Sequence, residues 1–157
     1  MSLRPLVVED AQVMSSVLAD PTLYEFIGGE PPSVSELERR YTVQTRGRSA
    51  DGSEEWVNLV VVLGPRREPI GYVQGTIPRQ GEPTEIAWVV GRAWQGKGYA
   101  TRAAQLLVEY LEDRGVRDLV AHIHPGHTAS QVIARKLGLH PTETMVDGES
   151  RWERTSG

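Results

Sequence analysis

The chain of 157 residues contains no cysteine. That excludes disulfides, zinc–thiolate sites and a cysteine nucleophile. No apolar run approaches the roughly 18 residues that a membrane-spanning helix needs. Basic residues are in the minority, 17 against 21 acidic ones, for a formal charge of −4. A nucleic-acid binder working through a broad basic surface is therefore not expected. The opening Met1-Ser2-Leu3-Arg4-Pro5 has neither the charged n-region nor the apolar h-region of a signal peptide, so a cytoplasmic protein is expected. Four histidines are present, three of them close together: His122, His124 and His127. No carboxylate stands near them in sequence to complete a ligand set, so no metal is expected.

What is present is enough for one domain, residues 1–157, with a sizeable core. Residues 3–8 read as a strand, and Asp10 stands where it caps a helix running to about Leu18. Asp20-Pro21 ends that helix. A loop follows with two aromatics, Tyr24 and Phe26, bounded by Gly28-Gly29 and Pro31-Pro32. Ser33 or Ser35 then caps a polar helix through about Arg46, and Ser35-Glu36-Leu37-Glu38 reads as a capping box. Three β-rich runs, 56–63, 70–77 and 84–90, have short links and predict an antiparallel meander. A helix over about 97–114 is stopped by Gly115, a strand covers 116–123, and a helix over 128–137 is stopped by Gly138. Residues 139–146 and 149–153 form a hairpin turning at Asp147-Gly148. The order is βααβββαβαββ, an α+β domain in which a meander feeds a parallel β-α-β crossover.

The stretch with the most chemistry is Gly91-Arg92-Ala93-Trp94-Gln95-Gly96-Lys97-Gly98-Tyr99-Ala100-Thr101. It lies between a strand and a helix. Glycines let backbone approach a ligand closely. The unpaired N–H groups and positive dipole of a helix start attract phosphate. Gly91-x-x-x-x-Gly96-Lys97 follows seven positions of the nucleotide P-loop, but the eighth is Gly98 rather than the Ser or Thr that binds Mg²⁺. Gly96-x-Gly98 needs Gly or Ala at position 101 for a dinucleotide fold, where Thr101 stands.

Gln95-Gly96-Lys97-Gly98-Tyr99-Ala100 fits Q/R-x-x-G-x-G/A, and here the chain resembles the GNAT superfamily of N-acetyltransferases. The resemblance extends through His124-Pro125-Gly126-His127-Thr128-Ala129-Ser130 and Arg135-Lys136-Leu137-Gly138-Leu139. Trp88 and the Asp147-Gly148-Glu149 turn are similar to the ribosomal-protein (Rim-type) branch. The resemblance implies a mixed, mostly antiparallel sheet of about seven strands with about four helices. It implies acetyl-CoA as co-substrate, its pyrophosphate held by residues 95–101 (Gln95, Gly96, Lys97, Gly98, Tyr99, Ala100, Thr101). Its pantetheine arm would lie along Trp88, Val89 and Val90.

Moving acetyl from a thioester to an amine requires a deprotonated amine, and a lysine amine has a reference pKa of about 10.4 and an α-amine about 7.7–8. A general base is therefore useful. By the resemblance Glu85 is the candidate, with Glu82 as the second choice, and Ser130 is the candidate proton donor to the thiolate. His127 stands where the family usually has Asn, a place that contacts coenzyme A or substrate. Tyr24 and Phe26 are candidates for the acceptor pocket, with Trp56 and Tyr72 as further aromatics. The expected reaction is direct transfer of acetyl to a primary amine, a protein N-terminus or a small molecule, in a ternary complex. The alternative is a non-catalytic coenzyme A-binding module of the same fold. The resemblance also admits a homodimer.

Overall fold

The computed structural model describes residues 1–155. Seven strands form one sheet in the order β1-β2-β3-β4-β5-β7-β6. They are β1 (Ser2–Pro5), β2 (Glu54–Leu63), β3 (Glu68–Pro78), β4 (Thr84–Val90), β5 (Leu119–Ile123), β6 (His140–Val146) and β7 (Glu149–Arg154). Four α-helices accompany them: α1 (Ala11–Val17), α2 (Val34–Gln44), α3 (Tyr99–Asp113) and α4 (Thr128–Lys136). The expected element order and the GNAT-type arrangement hold. None of the helices of the described residues is long and apolar enough to cross a membrane.

The meander forms because β2, β3 and β4 are β-branched and linked by short turns. β2 pairs antiparallel with β3, and β3 with β4. Alternation along these strands loads both faces. On one face Val57, Val61, Val73 and Ile86 pack with α3 and α4 through Ala104, Leu107, Leu111 and Ile133. On the other, Val60 and Val62 pack with α1 and α2 through Met14, Leu37 and Tyr41. Burying an aliphatic side chain of this size stabilises by about 1.5–3 kcal/mol, so two-sided coverage of the central strands anchors the domain.

Several local expectations are corrected. The first strand stops at Pro5; residues 8–10 form a 3-10 turn, whose N-terminal Val7 N–H is bound by Asp10 Oδ2 at 2.9 Å. Asp10 therefore does not cap α1 with its side chain. It takes two hydrogen bonds from Arg4, of 3.0 and 2.7 Å. The capping box of α2 is Ser33 with Glu36, not Ser35 with Glu38: Ser33 Oγ accepts from Glu36 N–H, and Glu36 Oε1 from Ser33 N–H. The strand expected from 116 begins at Leu119, because Val116 N–H still bonds back to the Leu111 carbonyl of α3, at 3.0 Å. The β6–β7 hairpin turns at Asp147-Gly148 with both φ positive, 51° and 82°, as a two-residue primed turn requires.

The relationship that positions the site is between β4 and β5. They are parallel, and their ladder holds two pairs, Thr84↔Leu119 and Glu85↔Val120. Past Glu85 the strands diverge. A wedge opens between the two C-terminal ends, where loops rather than strands meet.

Candidate active site

The wedge widens into a cleft of about 830 Å³. Its walls are β4 from Glu85 to Val90, the turn and helix start at residues 94–101, the end of β5, the start of α4, and the loop holding Phe26. The phosphate-type turn forms one end. Gly96 and Gly98 have φ of 76° and 85°, a region that L side chains rarely enter. Gly98 is the N-cap of α3, and Arg102 N–H is the first to bond back, to the Gly98 carbonyl at 3.1 Å. The N–H groups of Tyr99, Ala100 and Thr101 precede that bond and are left without an intrahelical partner. Gln95 Nε2 donates to the Val90 carbonyl at 3.1 Å, tying the turn to the strand that leads into it. No side chain projects from Gly96 or Gly98, and a Cβ there would meet nothing within 4 Å. The result is an open cradle of backbone donors, suited to a pyrophosphate.

Of the residues singled out by sequence, Gln95, Gly96, Gly98, Tyr99, Ala100 and Thr101 line the cleft, together with Trp88, Val89 and Val90. Lys97 is exposed and lies outside the wall. Beyond Glu85, β4 has no ladder to β5, so its backbone there is free to pair with an extended ligand. Glu85, at the last β4–β5 pair where the wedge begins, and Ser130 both line it. Glu82 is exposed in the turn before β4, at the strand's other end, and does not line the cleft.

Ser130 is buried at 8% exposure, and its hydroxyl lies 3.4 Å from His127 Nε2. His127 is the N-cap residue of α4 and its ring stacks on Phe26, centroids 4.8 Å apart and planes 14° apart. Burial lowers the His127 pKa below the usual histidine value; His124 lowers it further and Glu25 opposes them. His124 Nδ1 accepts from Gly126 N–H at 2.9 Å, so its proton sits on Nε2 when the ring is neutral.

Tyr24 is not part of the cleft wall. Its hydroxyl donates to the Leu18 carbonyl at 2.8 Å, a bond that fastens the loop to the end of α1. Phe26 is the aromatic that this loop contributes to the cleft. Trp56 lies elsewhere, bonded through Nε1 to Glu54, whereas Tyr72 lines the cleft from β3.

Sequence reasoning missed two residues. His122 Nδ1 lies 3.4 Å from Glu85 Oε2, so the histidines do have a carboxylate beside them; the parallel β4–β5 register brings it from 37 positions away. The second is Glu149, the first residue of β7, which also lines the cleft. Its pKa is raised, chiefly by burial and also by Glu85 and Asp147; His122 and His124 oppose the rise. Alternation in the sequence sets His122 and His124 on one side of the chain, but only the sheet order shows what stands opposite.

A meander splayed from a parallel strand, with a cradle of backbone donors at the splay, is the arrangement that an acyl-CoA would fit on an α+β sheet. The sequence pattern of the GNAT acetyltransferase domain matches residues 1–140, and the chain belongs to that family. The chain is 34% identical over 86 residues to the L-2,4-diaminobutyric acid acetyltransferase of Marinococcus halophilus, covering 54% of this chain and 50% of that one. It is 35% identical over 75 residues to the Bacillus subtilis protein YkkB, covering 45% and 44%. The chain thus spans about half the length of these curated relatives. Among solved structures, aminoglycoside acetyltransferase AAC(6')-Ib in complex with coenzyme A superposes with a TM-score of 0.77 at 20% identity, over 98% of this chain and 94% of that one. That likeness is one of fold.

Proposed function

We propose that this protein is an acetyl-CoA-dependent N-acetyltransferase that transfers acetyl directly to a cationic primary amine. The observation that carries the reading is the backbone cradle at 95–101, set at the open end of the β4–β5 wedge. A pyrophosphate on the N–H groups of Tyr99, Ala100 and Thr101 places the attached pantetheine arm along Val89 and Val90. The thioester then comes to the region between Glu85 and Ser130, both on the cleft wall. A backbone N–H of β4 past its last β5 pair is available to the carbonyl oxygen as negative charge develops on it. Ser130, held near His127, serves as proton donor to the departing sulfur. Direct transfer needs no enzyme nucleophile, in keeping with a chain free of cysteine.

The acceptor class is read from charge. The cleft wall carries three carboxylates, Glu25, Glu85 and Glu149. Among the described residues lining it, Arg92 is the one Arg or Lys, and it sits beside the cradle, where it donates to Thr22 Oγ1 at 3.0 Å. Negative charge at the acceptor end favours an amine that arrives protonated, above all one with a second cationic group. The relative named for a diamino acid and the fold neighbour named for aminoglycosides both bear names of such compounds. A peptide α-amine, the acceptor that the Rim-type resemblance suggests, has one such charge.

The test pairs binding with turnover. Acetyl-CoA at 100 times its Kd is expected to raise stability by about 2.7 kcal/mol, read as a higher Tm. Spermidine, kanamycin, 2,4-diaminobutyrate and an N-terminal peptide are then compared by release of free thiol, with the multiply charged amines expected to have the higher kcat/KM. No thermal shift with acetyl-CoA would overturn the reading.

A further inference from the structure

We propose that His122, oriented by Glu85, is the group that takes the proton from the incoming amine. Glu85 is then a positioning residue and not itself the base. The assignment rests on the acetyltransferase reading above. Its ground is a juxtaposition that only the β4–β5 register creates. Glu85 occupies the last paired position of β4, opposite Val120, and His122 lies two residues farther along β5 on the same face. The strands part between these two side chains. They stand at the throat of the cleft, Nδ1 3.4 Å from Oε2.

Exposure divides the work between them. The His122 side chain is 18% exposed and that of Glu85 55%. A solvated carboxylate is a weak base toward an amine, whereas an imidazole works close to neutral pH. With Nδ1 turned to Glu85, the neutral ring carries its proton there and leaves Nε2 free as the acceptor. A 3.4 Å separation is long for a hydrogen bond, but such contacts tighten when substrate binds. The imidazolium formed on proton transfer is stabilised by Glu85, as a carboxylate behind a histidine does elsewhere.

The groups around the ring are consistent with this role. Glu149 approaches from the start of β7, and His124 stands just past the end of β5. Arg151 lies opposite His122 on β7, but its Nε is bonded to Glu153 Oε1 at 2.6 Å. This cation is thus engaged by a carboxylate of its own strand.

The acceptor enters as an ammonium, and His122 Nε2 takes one proton from it. The freed nitrogen lone pair forms the C–N bond to the acetyl carbon, and the C–S bond breaks with its electron pair going to sulfur. The surplus proton on nitrogen passes to sulfur through the Ser130 hydroxyl, and His122 releases its proton to solvent. The products are amide, thiol and one proton.

The experiment compares wild type, His122→Gln, His122→Asn and Glu85→Gln with acetyl-CoA and spermidine or kanamycin as probe amines. At pH 7 the His122 variants are expected to lose at least about 100-fold in kcat, the scale of a lost general base. Acetyl-CoA affinity should stay within twofold. The deficit should shrink as pH rises toward the amine's own pKa of about 10, which a purely structural loss would not do. Glu85→Gln should lose less, about tenfold, and long-range ¹H–¹⁵N spectra should show His122 moving from the Nδ1–H tautomer to a mixture. An active wild type with both His122 variants within threefold of it overturns the proposal alone. So does a Glu85→Gln deficit larger than that of His122→Gln with the tautomer unchanged, which returns the base to Glu85. A wild type that binds no acetyl-CoA and releases no thiol overturns the reading beneath it as well.

Discussion

The Phe26 ring lies on the His127 ring, centroids 4.8 Å apart and planes 14° from parallel. One ring comes from the loop after α1 and the other from the N-cap of α4, so the stack joins two walls of the cleft at the end proposed to take the acceptor. It also helps shield His127, whose pKa is lowered by burial. For a histidine with a depressed folded-state value, stability is fully present above the unfolded pKa of about 6.5 and falls away as pH drops through the folded value. Phe26→Ala should bring the His127 midpoint up toward the ordinary value, measured from its ring protons by NMR. The loss of stability between pH 7 and 5 should become shallower. An unchanged midpoint would show that the ring does not set the environment.

Glu149 carries the opposite sign. Its pKa is raised, chiefly by burial. Its contribution to stability is therefore fully present below the unfolded carboxylate value of about 4.3 and is lost as pH rises through the folded value. Glu149→Gln removes an ionisation that the fold disfavours. The variant should melt higher than wild type near pH 7, with the difference vanishing below about pH 4. If Glu149 also meets a cationic acceptor, KM for spermidine should rise several-fold in the same variant, with acetyl-CoA affinity unchanged.

Gly71 stands behind the part of β4 proposed to face the donor. A Cβ at this position would come within 2.2 Å of the Val89 carbonyl oxygen and 2.8 Å of Val90 Cα. The contact is with backbone, so no side chain can turn aside. Gly71→Ala must push β4 outward at the two residues expected to face the pantetheine arm. We expect a loss of about 1–3 kcal/mol, the usual cost of overpacking, measured by urea unfolding. Acetyl-CoA binding by the folded fraction should weaken beyond what the lost stability explains.

Much of this was legible in the chain itself. The strand–glycine–helix turn at 91–101 announces an anion site, because glycine's conformational freedom and the start of an amphipathic helix are both local properties. The meander likewise follows from alternation and short links. What the sequence withheld is what depends on pairing across distance. Glu85 reads alone as a strand carboxylate, and His122 as a strand histidine. Their proximity is set by the parallel register, which no local pattern encodes. Asp10 misled for a related reason: a helix cap and a partner for Arg4 look the same in sequence, and the ion pair won. Tyr24 shows the converse, since an aromatic in a glycine- and proline-bounded loop suggests a pocket, yet its hydroxyl is bound to the Leu18 carbonyl.

The Arg4–Asp10 pair gives the last prediction. Asp10 is 6% exposed, and burial alone would raise its pKa. Two hydrogen bonds from Arg4 and one from Val7 N–H overcome that, and the net direction is down. A carboxyl with a depressed folded value contributes stability above its unfolded pKa of about 3.9 and loses it as pH falls through the folded value. Asp10→Asn keeps the shape but leaves Arg4 without its counter-charge. We expect a loss of about 3 kcal/mol at pH 7, the scale for breaking a buried pair, measured by denaturant unfolding. The loss should shrink as pH falls from about 4 through the lower folded value, where the wild type gives up the same charge. Because the pair joins β1 to the entry of α1 and neither residue lines the cleft, acetyl-CoA affinity of the folded variant should be unaltered. A variant as stable as wild type at pH 7 would show that desolvating the two charges costs as much as their contact returns.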